Sequence, residues 1–340
     1  MIHQITEKQD LLNELGHLSE PGYAVKEVFN YDRSMIKASK WRIKEWDYYN
    51  CISEDYGFSF TVADLGYMAL ISASLLDFKT GKETKNAKMK FFTFGKLNMP
   101  SSTEEGDVTY SDKDRKFQFL NKEEERLIQV EIKDFIKGED LVANLSFKKH
   151  NTDDRMLIAT PFKENPTRFY YNQKFNCLNV SGNVKTGNKI YLFDELKDFG
   201  VLDWGRGVWT YKNTWYWGSL SFLVDGKRAG INIGYGFGDT EKATENIIFY
   251  DGKAHKIEDV GFIYDENNFL SPWQFKDNLG RLNLTMTPLL DRVDNTNLLI
   301  IKNLGHQVFG KFNGYLILDD GTKVIVEDKI GFAEKITNHY

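Results

Sequence analysis

Cysteine, proline and long apolar runs are all scarce in this sequence. It has 2 cysteines and 6 prolines in 340 residues. Cys51 and Cys177 lack the paired spacing of a redox or zinc motif, so we expect two buried thiols in a reducing compartment. No apolar run approaches the ~20 residues that a membrane-spanning helix needs, and the first residues lack a signal-peptide core. We therefore expect a cytoplasmic protein with no transmembrane segment.

Strong net charge and the common cofactor motifs are absent as well. The formal net charge is −5, which provides no basic face for nucleic acid. None of the 6 histidines has metal-ligand spacing, and neither a P-loop nor a serine nucleophile elbow is present. A glycine-rich stretch at 232–239 lacks the final glycine of the dinucleotide fingerprint and is typical of a strand bend. We expect no metal, no cofactor and no nucleic-acid partner.

Aromatic residues are plentiful, and most of the chain has a strand-like pattern. Phe, Trp and Tyr make up 14% of the residues. Residues 7–15 have apolar side chains at helical spacing before Gly16, which predicts a short N-terminal helix. Beyond residue 40, short strands alternate with Gly, Asn and Asp turns, and Phe58, Phe60 and Val62 show the strand period of two. The sequence predicts an all-β fold, as a sandwich or barrel.

An internal repeat is the strongest evidence for the architecture. Three segments of the first half resemble three of the second half in the same order: 117–130 with 273–284, 180–190 with 312–324, and 200–203 with 331–334. The repeat predicts two similar antiparallel β-barrel or sandwich units in tandem, at 41–203 and 204–340, after a lead-in at 1–40. On this alignment Asp203 and Glu334 end equivalent strands.

The candidate catalytic residues are the carboxyls of Asp203 and Glu334. Four of the 7 tryptophans lie between positions 204 and 217, close to Asp203. A carboxyl that is desolvated by indole faces has a raised pKa, which suits proton donation near neutral pH. Arg206 is either an ion-pair partner of Asp203 at the junction of the units or part of a polar patch in the pocket. An ion pair would oppose the pKa shift of Asp203 and leave Glu334 as the better acid.

The candidate substrate-binding residues lie around these two acids in the sequence pattern. Aromatic faces stabilise cations and also stack on sugar rings, and Trp215 and Trp217 share one face of a strand. For each candidate the alternative is a structural role in the core or in a turn. The candidates are Trp204, Arg206, Trp209, Trp215, Trp217, Asn232, Tyr235, Glu245, Asn246, His306 and Gln307.

Six motifs, in order over nearly the whole chain, resemble the family called domain of unknown function 2804. They are RIKEWDYY at 42–49, LDWGRGVW at 202–209, NIGYGFG at 232–238, EN at 245–246, HQVFG at 306–310 and GFAE at 331–334. The activity of that family is unassigned, so the resemblance implies no catalytic residue. More remotely, the family is similar to double lipocalin-like (calycin-type) proteins such as carotenoid hydratases and tocopherol cyclases. This implies paired barrel-like halves around a pocket for a hydrophobic, often isoprenoid-like molecule.

Three functions remain open from the sequence. The leading hypothesis is a protein that binds a hydrophobic small molecule and converts it by acid catalysis, through hydration, cyclisation or isomerisation. The second is a carbohydrate-binding or carbohydrate-active protein that uses Trp stacking and paired carboxylates. The third is a non-catalytic carrier or structural protein in which ion pairs occupy the carboxylates. An enclosed apolar cavity would favour the first hypothesis, and a long open groove the second.

Overall fold

The computed structural model describes residues 2–298 and 301–339, and nearly all regular structure in these ranges is β-strand. Three short strands and one 3₁₀ turn lie in the chain before the long strands of the two large sheets. They are β1 (Gln9–Asp10), β2 (Gly22–Ala24), β3 (Phe29–Asn30) and the turn Arg33–Met35. β1 and β3 pair in parallel.

The predicted N-terminal helix at 7–15 is wrong. The backbone N–H of Gln9 donates to Val28 O at 2.9 Å and that of Leu11 to Asn30 O at 3.0 Å, so both groups bond to distant residues. Leu11 is fully buried in the first core. An isolated helix of this length is marginal in water, and burial with strand-like bonding therefore outweighs the local helical spacing.

The first large sheet is built from residues of the first half and has thirteen strands within the described ranges. Its hydrogen-bonded order is β7-β6-β5-β4-β15-β13-β11-β10-β9-β8, with β12 and β14 pairing along β13 and β2 pairing with β12. The remaining strands of this sheet are β4 (Lys44–Ile52), β5 (Tyr56–Asp64), β6 (Met68–Asp77), β7 (Lys82–Phe91), β8 (Val108–Ser111), β9 (Arg115–Asn121), β10 (Glu125–Ile136), β11 (Glu139–Lys148), β12 (Met156–Phe162), β13 (Asn165–Thr186), β14 (Lys189–Phe193) and β15 (Phe199–Val208).

The second large sheet contains nine described strands from the second half. Its order is β19-β18-β17-β16-β24-β23-β22-β21-β20. Its strands are β16 (Lys212–Val224), β17 (Lys227–Tyr235), β18 (Ile247–Tyr250), β19 (Lys253–Lys256), β20 (Val260–Ile263), β21 (Trp273–Asp277), β22 (Leu282–Leu298), β23 (Ile301–Ile317) and β24 (Lys323–His339).

Both sheets have the same topology. Each begins with a four-stranded antiparallel meander, and its last strand returns to pair with the first: β15 with β4, and β24 with β16. The prediction of an all-β fold with two antiparallel β units in tandem is confirmed, and each unit is a curled half-barrel. β15 runs through the predicted boundary at 203/204, and the change from one sheet to the other falls between Val208 and Lys212. The division of the chain into domains at these positions stays a prediction.

The registers show which part of the predicted repeat is structural. Gly182 and Gly314 both have a positive φ, 110° and 141°, and an added Cβ on either would meet a carbonyl oxygen of the neighbouring strand. This confirms the match of 180–183 with 312–315. Gly182 pairs with Leu145 on β11, and Gly314 pairs with Leu284 on β22. β22 therefore corresponds to β11, and the predicted match of 127–130 on β10 with 281–284 is one strand out of register.

Each sheet curls around its own hydrophobic core, and the other face of its closing strand points to the partner sheet. Along β15, Leu202 and Trp204 belong to the first core, whereas Val201 packs in a cluster that joins the two halves. Along β24, Ala333 belongs to the second core and Phe332 to the joining cluster. Successive side chains of a strand point to opposite faces, so alternate residues of β15 and β24 form the boundary that we call the seam.

Polar contacts and the N-terminal segment also join the halves. Asn176 Nδ2 donates to Ser219 Oγ at 2.8 Å, and the N–H of Cys177 donates to Ser221 Oγ at 2.9 Å. The N–H of His3 donates to Lys242 O at 2.7 Å. β2 pairs with β12 in the first sheet, so the N-terminal segment bonds to both halves. Both cysteines are free and buried, as predicted.

Candidate active site at the seam

A cavity of about 300 Å³ lies at the seam between the two sheets. Its volume is at the lower end of the range for small-molecule sites. Most of its wall is apolar or aromatic, and carboxyl, amide, lysine and arginine side chains from both halves also reach it. Eight of the predicted site residues line it: Asp203, Trp209, Trp215, Trp217, Tyr235, Glu245, Gln307 and Glu334.

Two cross-strand rows of side chains form facing walls of the cavity, because laterally paired residues share one face of a sheet. In the first sheet the register places Lys174, Asp203, Tyr48, Thr61 and Ser72 side by side. In the second sheet the corresponding row is Gly234, Trp217, Glu334, Gln307 and Arg292. All ten residues line the cavity. The two candidate acids therefore stand on the closing strand of their sheets, one in each wall.

The carboxyl of Glu334 is held by two donors from its own sheet. Trp215 Nε1 donates to Oε1 at 2.8 Å, and Gln307 Nε2 donates to Oε2 at 2.9 Å. The residue is only 5% exposed. Burial raises the pKa of Glu334 to about 7, and the nearby charge of Asp203 adds to this shift, whereas the Trp215 hydrogen bond and Lys174 oppose it. Near neutral pH both the acid and the carboxylate are substantially populated.

The amide of Gln307 is oriented by a chain of contacts across the seam. Its Oε1 accepts from Arg292 Nη1 at 3.0 Å and from the Tyr48 hydroxyl at 3.2 Å. Arginine can only donate, so Oε1 must face Arg292 and Nε2 must face Glu334. Arg292 also bonds through Nε to Glu83 Oε1 on β7 at 2.8 Å. The first sheet therefore fixes an amide that holds the acid of the second sheet.

Asp203 pairs with Lys174, which is not among the predicted site residues. Lys174 Nζ lies 2.8 Å from Asp203 Oδ1, which also accepts from Asn172 Nδ2 at 2.7 Å. The same ammonium lies 3.8 Å from the centroid of the Trp217 ring, a cation–π contact between the halves. The signal for Lys174 in the sequence is the polar run at 172–174, which lies between the aromatic residues at 169–171 and 175. Asp203 is thus a charge-compensated wall residue, which leaves Glu334 as the better acid.

Glu245 brings a third carboxyl to the same part of the cavity. Burial raises its pKa, and Asp203 raises it further, whereas the charge of Lys174 lowers it. The Tyr170 hydroxyl hydrogen-bonds to this carboxyl. An added Cβ on Gly234 would lie 3.2 Å from Glu245 Oε2, so the glycine of the 232–238 motif leaves room for the acid. The ammonium of Lys174 thus pairs directly with Asp203 and lowers the pKa of both Glu245 and Glu334 through its charge.

Arg206 and Trp204 lie in the first core and do not line the cavity. Arg206 has no exposed surface; its Nη2 lies 3.1 Å from Asp47 Oδ1, and its Nη1 donates to Trp46 O at 2.8 Å. Its guanidinium lies 3.8 Å from the Trp204 ring centroid. The considered ion pair between Arg206 and Asp203 is therefore wrong, because the two side chains point to opposite faces of β15.

Three other predicted site residues support the wall or lie elsewhere. Asn232 Oδ1 accepts from Trp217 Nε1 at 2.8 Å, which fixes that indole. Asn246 Oδ1 accepts from the N–H of Gly234 at 2.8 Å. His306 neighbours Gln307 on β23 and points to the opposite face, where it stacks on Phe269 at 3.7 Å and lies 2.9 Å from Asp291. None of the three lines the cavity.

Two common features are not found in the described part of the chain. Residues 2–298 and 301–339 contain no group of three or more His, Cys, Asp or Glu side chains that could hold a metal ion. They also contain no helix with the length and apolar character needed to cross a membrane.

These features define an all-β protein of two curled half-barrels with a mostly apolar cavity and buried carboxyls at their seam. The family model described as "Domain of unknown function (DUF2804)" matches residues 2–340. The chain belongs to this family, as its motifs predicted. No curated protein matches it.

Several solved structures are similar to this chain at low sequence identity. A candidate AttH protein from Nitrosomonas europaea has a TM-score of 0.49 at 14% identity, over 90% of this chain and 95% of that one. Kievitone hydratase from Nectria haematococca has a TM-score of 0.47 at 10% identity, over 87% and 88%. CghA has a TM-score of 0.41 at 10% identity, over 98% and 97%.

The first prediction concerns Arg206 as a structural residue. Arg206→Met leaves the Asp47 carboxylate buried without its partner, so we expect a loss of about 3 kcal/mol in the free energy of unfolding. Urea denaturation measures it. The control is Lys79→Met, which breaks an exposed pair with Asp55 and should cost less than about 1 kcal/mol. Equal, small effects of the two substitutions would contradict the structural role.

The second prediction follows from the raised pKa of Glu334. A folded-state pKa of about 7 against an ordinary value of 4.5 means that folding favours the protonated form. The stabilisation is complete below pH 4.5 and is lost as the pH rises through about 7. Between acidic and alkaline pH, wild type should therefore lose about 3 kcal/mol that Glu334→Gln does not lose.

Urea unfolding across this pH range gives the difference. The substitution changes one hydrogen bond with Gln307 at every pH, so only the pH-dependent part of the difference is informative. Glu195→Gln, at an exposed position, is the matched control and should follow wild type. Parallel curves for wild type and Glu334→Gln would contradict the buried acid.

Proposed function

We propose that the chain binds a largely apolar small molecule in the seam cavity and that Glu334 protonates it. One observation carries the proposal: a carboxyl with a pKa of about 7 lies in the wall of a mostly apolar cavity. A general acid acts best when its pKa lies near the working pH. Asp203 is compensated by Lys174, so the acid role falls to Glu334.

The aromatic walls suit the cation that such a protonation creates. Transfer of the Glu334 proton to an alkene carbon forms a C–H bond from the π electrons and leaves a carbocation, with Glu334 as carboxylate. Trp217, Trp215 and Tyr170 present aromatic rings to this volume, and ring faces stabilise cations. Addition of water followed by return of one proton to Glu334 completes a hydration. Loss of a neighbouring proton to Glu334 completes an isomerisation. In a cyclisation a second double bond of the same molecule first attacks the cation and forms the ring bond, and the new cation then loses a proton to Glu334.

A second candidate function is that of a carrier without turnover. Both oxygens of Glu334 already accept hydrogen bonds from the protein, and Asp203 is ion-paired. A carrier needs the cavity and no free acid. The carrier and the catalyst share the binding step and differ only in the role of Glu334, so two separate experiments are needed.

The binding step is tested by filling the cavity. Thr61 lines it and is half-buried, whereas Thr109 is exposed on β8 away from it. Thr61→Trp should weaken binding of the neutral apolar dye Nile red about tenfold or more by excluding it from the cavity, and Thr109→Trp should not. A fluorescence titration measures both affinities. Equal affinities for the two variants would place the apolar site elsewhere.

The acid step is tested by native mass spectrometry of freshly purified protein. Glu334→Gln cannot donate the proton, so it should retain unconverted substrate, whereas wild type should carry product or an empty cavity. A hydration changes the mass of the bound molecule by one water. An isomerisation or cyclisation keeps the mass and changes the chromatographic retention of the extracted molecule.

Glu195→Gln is the control for this experiment and should behave as wild type. An identical bound molecule in wild type and in Glu334→Gln, with no conversion over time, supports the carrier and removes the acid role. A bound sugar in place of an apolar molecule would support the carbohydrate hypothesis.

A further inference from the structure

Exposed aromatic side chains form one surface next to the cavity. Trp41, Phe91 and Phe92 are 48%, 51% and 61% exposed, and Phe94 is half-buried. We call Trp41, Phe91, Phe92 and Phe94 the aromatic patch. Contiguous exposed apolar surface on a protein usually marks an interaction site.

The patch joins two distant segments into one rigid surface. The Trp41 ring centroid lies 6.1 Å from that of Phe92 and 5.9 Å from that of Phe94, and Phe91 lies 6.2 Å from Phe92. The N–H of Phe92 donates to Tyr67 O at 2.7 Å and that of Phe94 to Gly66 O at 2.8 Å. Both Phe residues have a positive φ, 63° and 54°, which persists only where the surrounding structure imposes it.

Basic residues accompany the aromatic patch. The segments 37–42 and 88–96 contain six Lys or Arg residues and no acidic residue, in a chain whose net charge is −5. Lys88 pairs with Asp112 at 2.6 Å and Arg42 bonds to Trp209 O at 3.3 Å. The other four basic residues are exposed: Lys37, Lys40, Lys90 and Lys96. Aromatic rings among exposed lysines are the composition of a surface that binds anionic lipid.

The aromatic patch adjoins the opening of the cavity. Tyr67 lines the cavity and its ring lies 6.2 Å from that of Trp41. Met89 also lines the cavity, is 40% exposed and stands on the edge strand β7 next to Lys90. An apolar molecule that leaves a bilayer beneath the patch would thus meet the cavity wall directly.

We propose that the aromatic patch and its lysines dock this protein on the surface of a bilayer that contains anionic lipid. The rings insert into the interface between headgroups and acyl chains, and the ammonium groups bind the headgroups. In this orientation the side of the cavity at Met89 and Tyr67 faces the membrane. The docking proposal does not depend on the proposed function. Only the idea that the apolar ligand comes from the bilayer rests on the proposed function.

The test is co-sedimentation of the full chain with lipid vesicles. Wild type should bind vesicles of phosphatidylcholine with phosphatidylserine more tightly than phosphatidylcholine alone, and added salt should weaken the binding. Trp41→Ala with Phe92→Ala removes two inserted rings, and Lys40→Glu with Lys90→Glu reverses two charges. Each pair should lower the vesicle affinity about tenfold or more.

Matched controls separate the patch from general surface effects. Leu279 is 64% exposed, and Lys276 is exposed on β21, next to the edge strand β20 of the second sheet. Both lie outside the aromatic patch, so Leu279→Ala and Lys276→Glu should bind vesicles as wild type does. Glu334→Gln should also bind normally, which distinguishes a failure of docking from a failure of the acid role. The charge variant keeps every ring, so it remains informative even if the aromatic variant folds poorly.

Three outcomes would overturn the proposal. The first is no binding of wild type to either kind of vesicle, and the second is binding that neither pair of substitutions changes. The third is a dimer in solution that Trp41→Ala with Phe92→Ala dissociates, without vesicle binding, which would assign the patch to a second copy of the chain.

Discussion

The pairing of the last strand of each sheet with its first strand is the constraint on which the rest of the structure depends. β15 lies between β4 and β13, and β24 lies between β16 and β23. One face of each closing strand packs against the core of its own sheet, and the other face packs at the seam. Alternate residues of the strand therefore lie in the core and at the seam. Leu202 and Trp204 fill a core, whereas Asp203 between them faces the seam. Because both halves close in the same way, the seam receives one acid from each closing strand.

The balance of charge in the cavity explains why these acids differ. Lys174 lies next to Asp203 and compensates it, and Arg292 is shared between Glu83 and Gln307. Glu334 and Glu245 have amide, indole and hydroxyl partners and no direct cationic one among the described contacts. Removing a carboxylate from water without a counter-charge favours the neutral form, and both pKa values are raised. The groups that contact each carboxyl, and not the type of residue, thus determine which carboxyl is the acid.

Much of the fold could be predicted from local sequence, because strand period and turn residues are local properties. The repeat also placed Asp203 and Glu334 on equivalent strands, although both residues lie inside these strands and not at their ends as predicted. The Trp-rich stretch indicated the aromatic part of the wall. The sequence could not supply register. Lys174 and Asp203 are neighbours only because β13 and β15 pair in one particular alignment, and the match of β10 with β22 failed for the same reason.

The direction in which individual side chains point was also predicted poorly from the sequence. The alternation along β15 would have separated Asp203 from Arg206, since three residues apart on a strand means opposite faces. Proximity in sequence nevertheless favoured an ion pair between them. Proximity in sequence also predicts a shared site for His306 and Gln307, although only Gln307 reaches the cavity. The N-terminal helix was wrong because distant backbone partners at Val28 and Asn30 replaced the helical bonds.

The N-terminal segment that bonds to both halves sets an order of events during synthesis. The N–H of His3 finds its acceptor only after Lys242 has left the ribosome, whereas the partners of β2 on β12 emerge much earlier. All the strands of the first sheet, including the closing pair of β4 and β15, are synthesised before β16. Until Trp217 has been synthesised, the Lys174 ammonium lacks its aromatic neighbour from the second half.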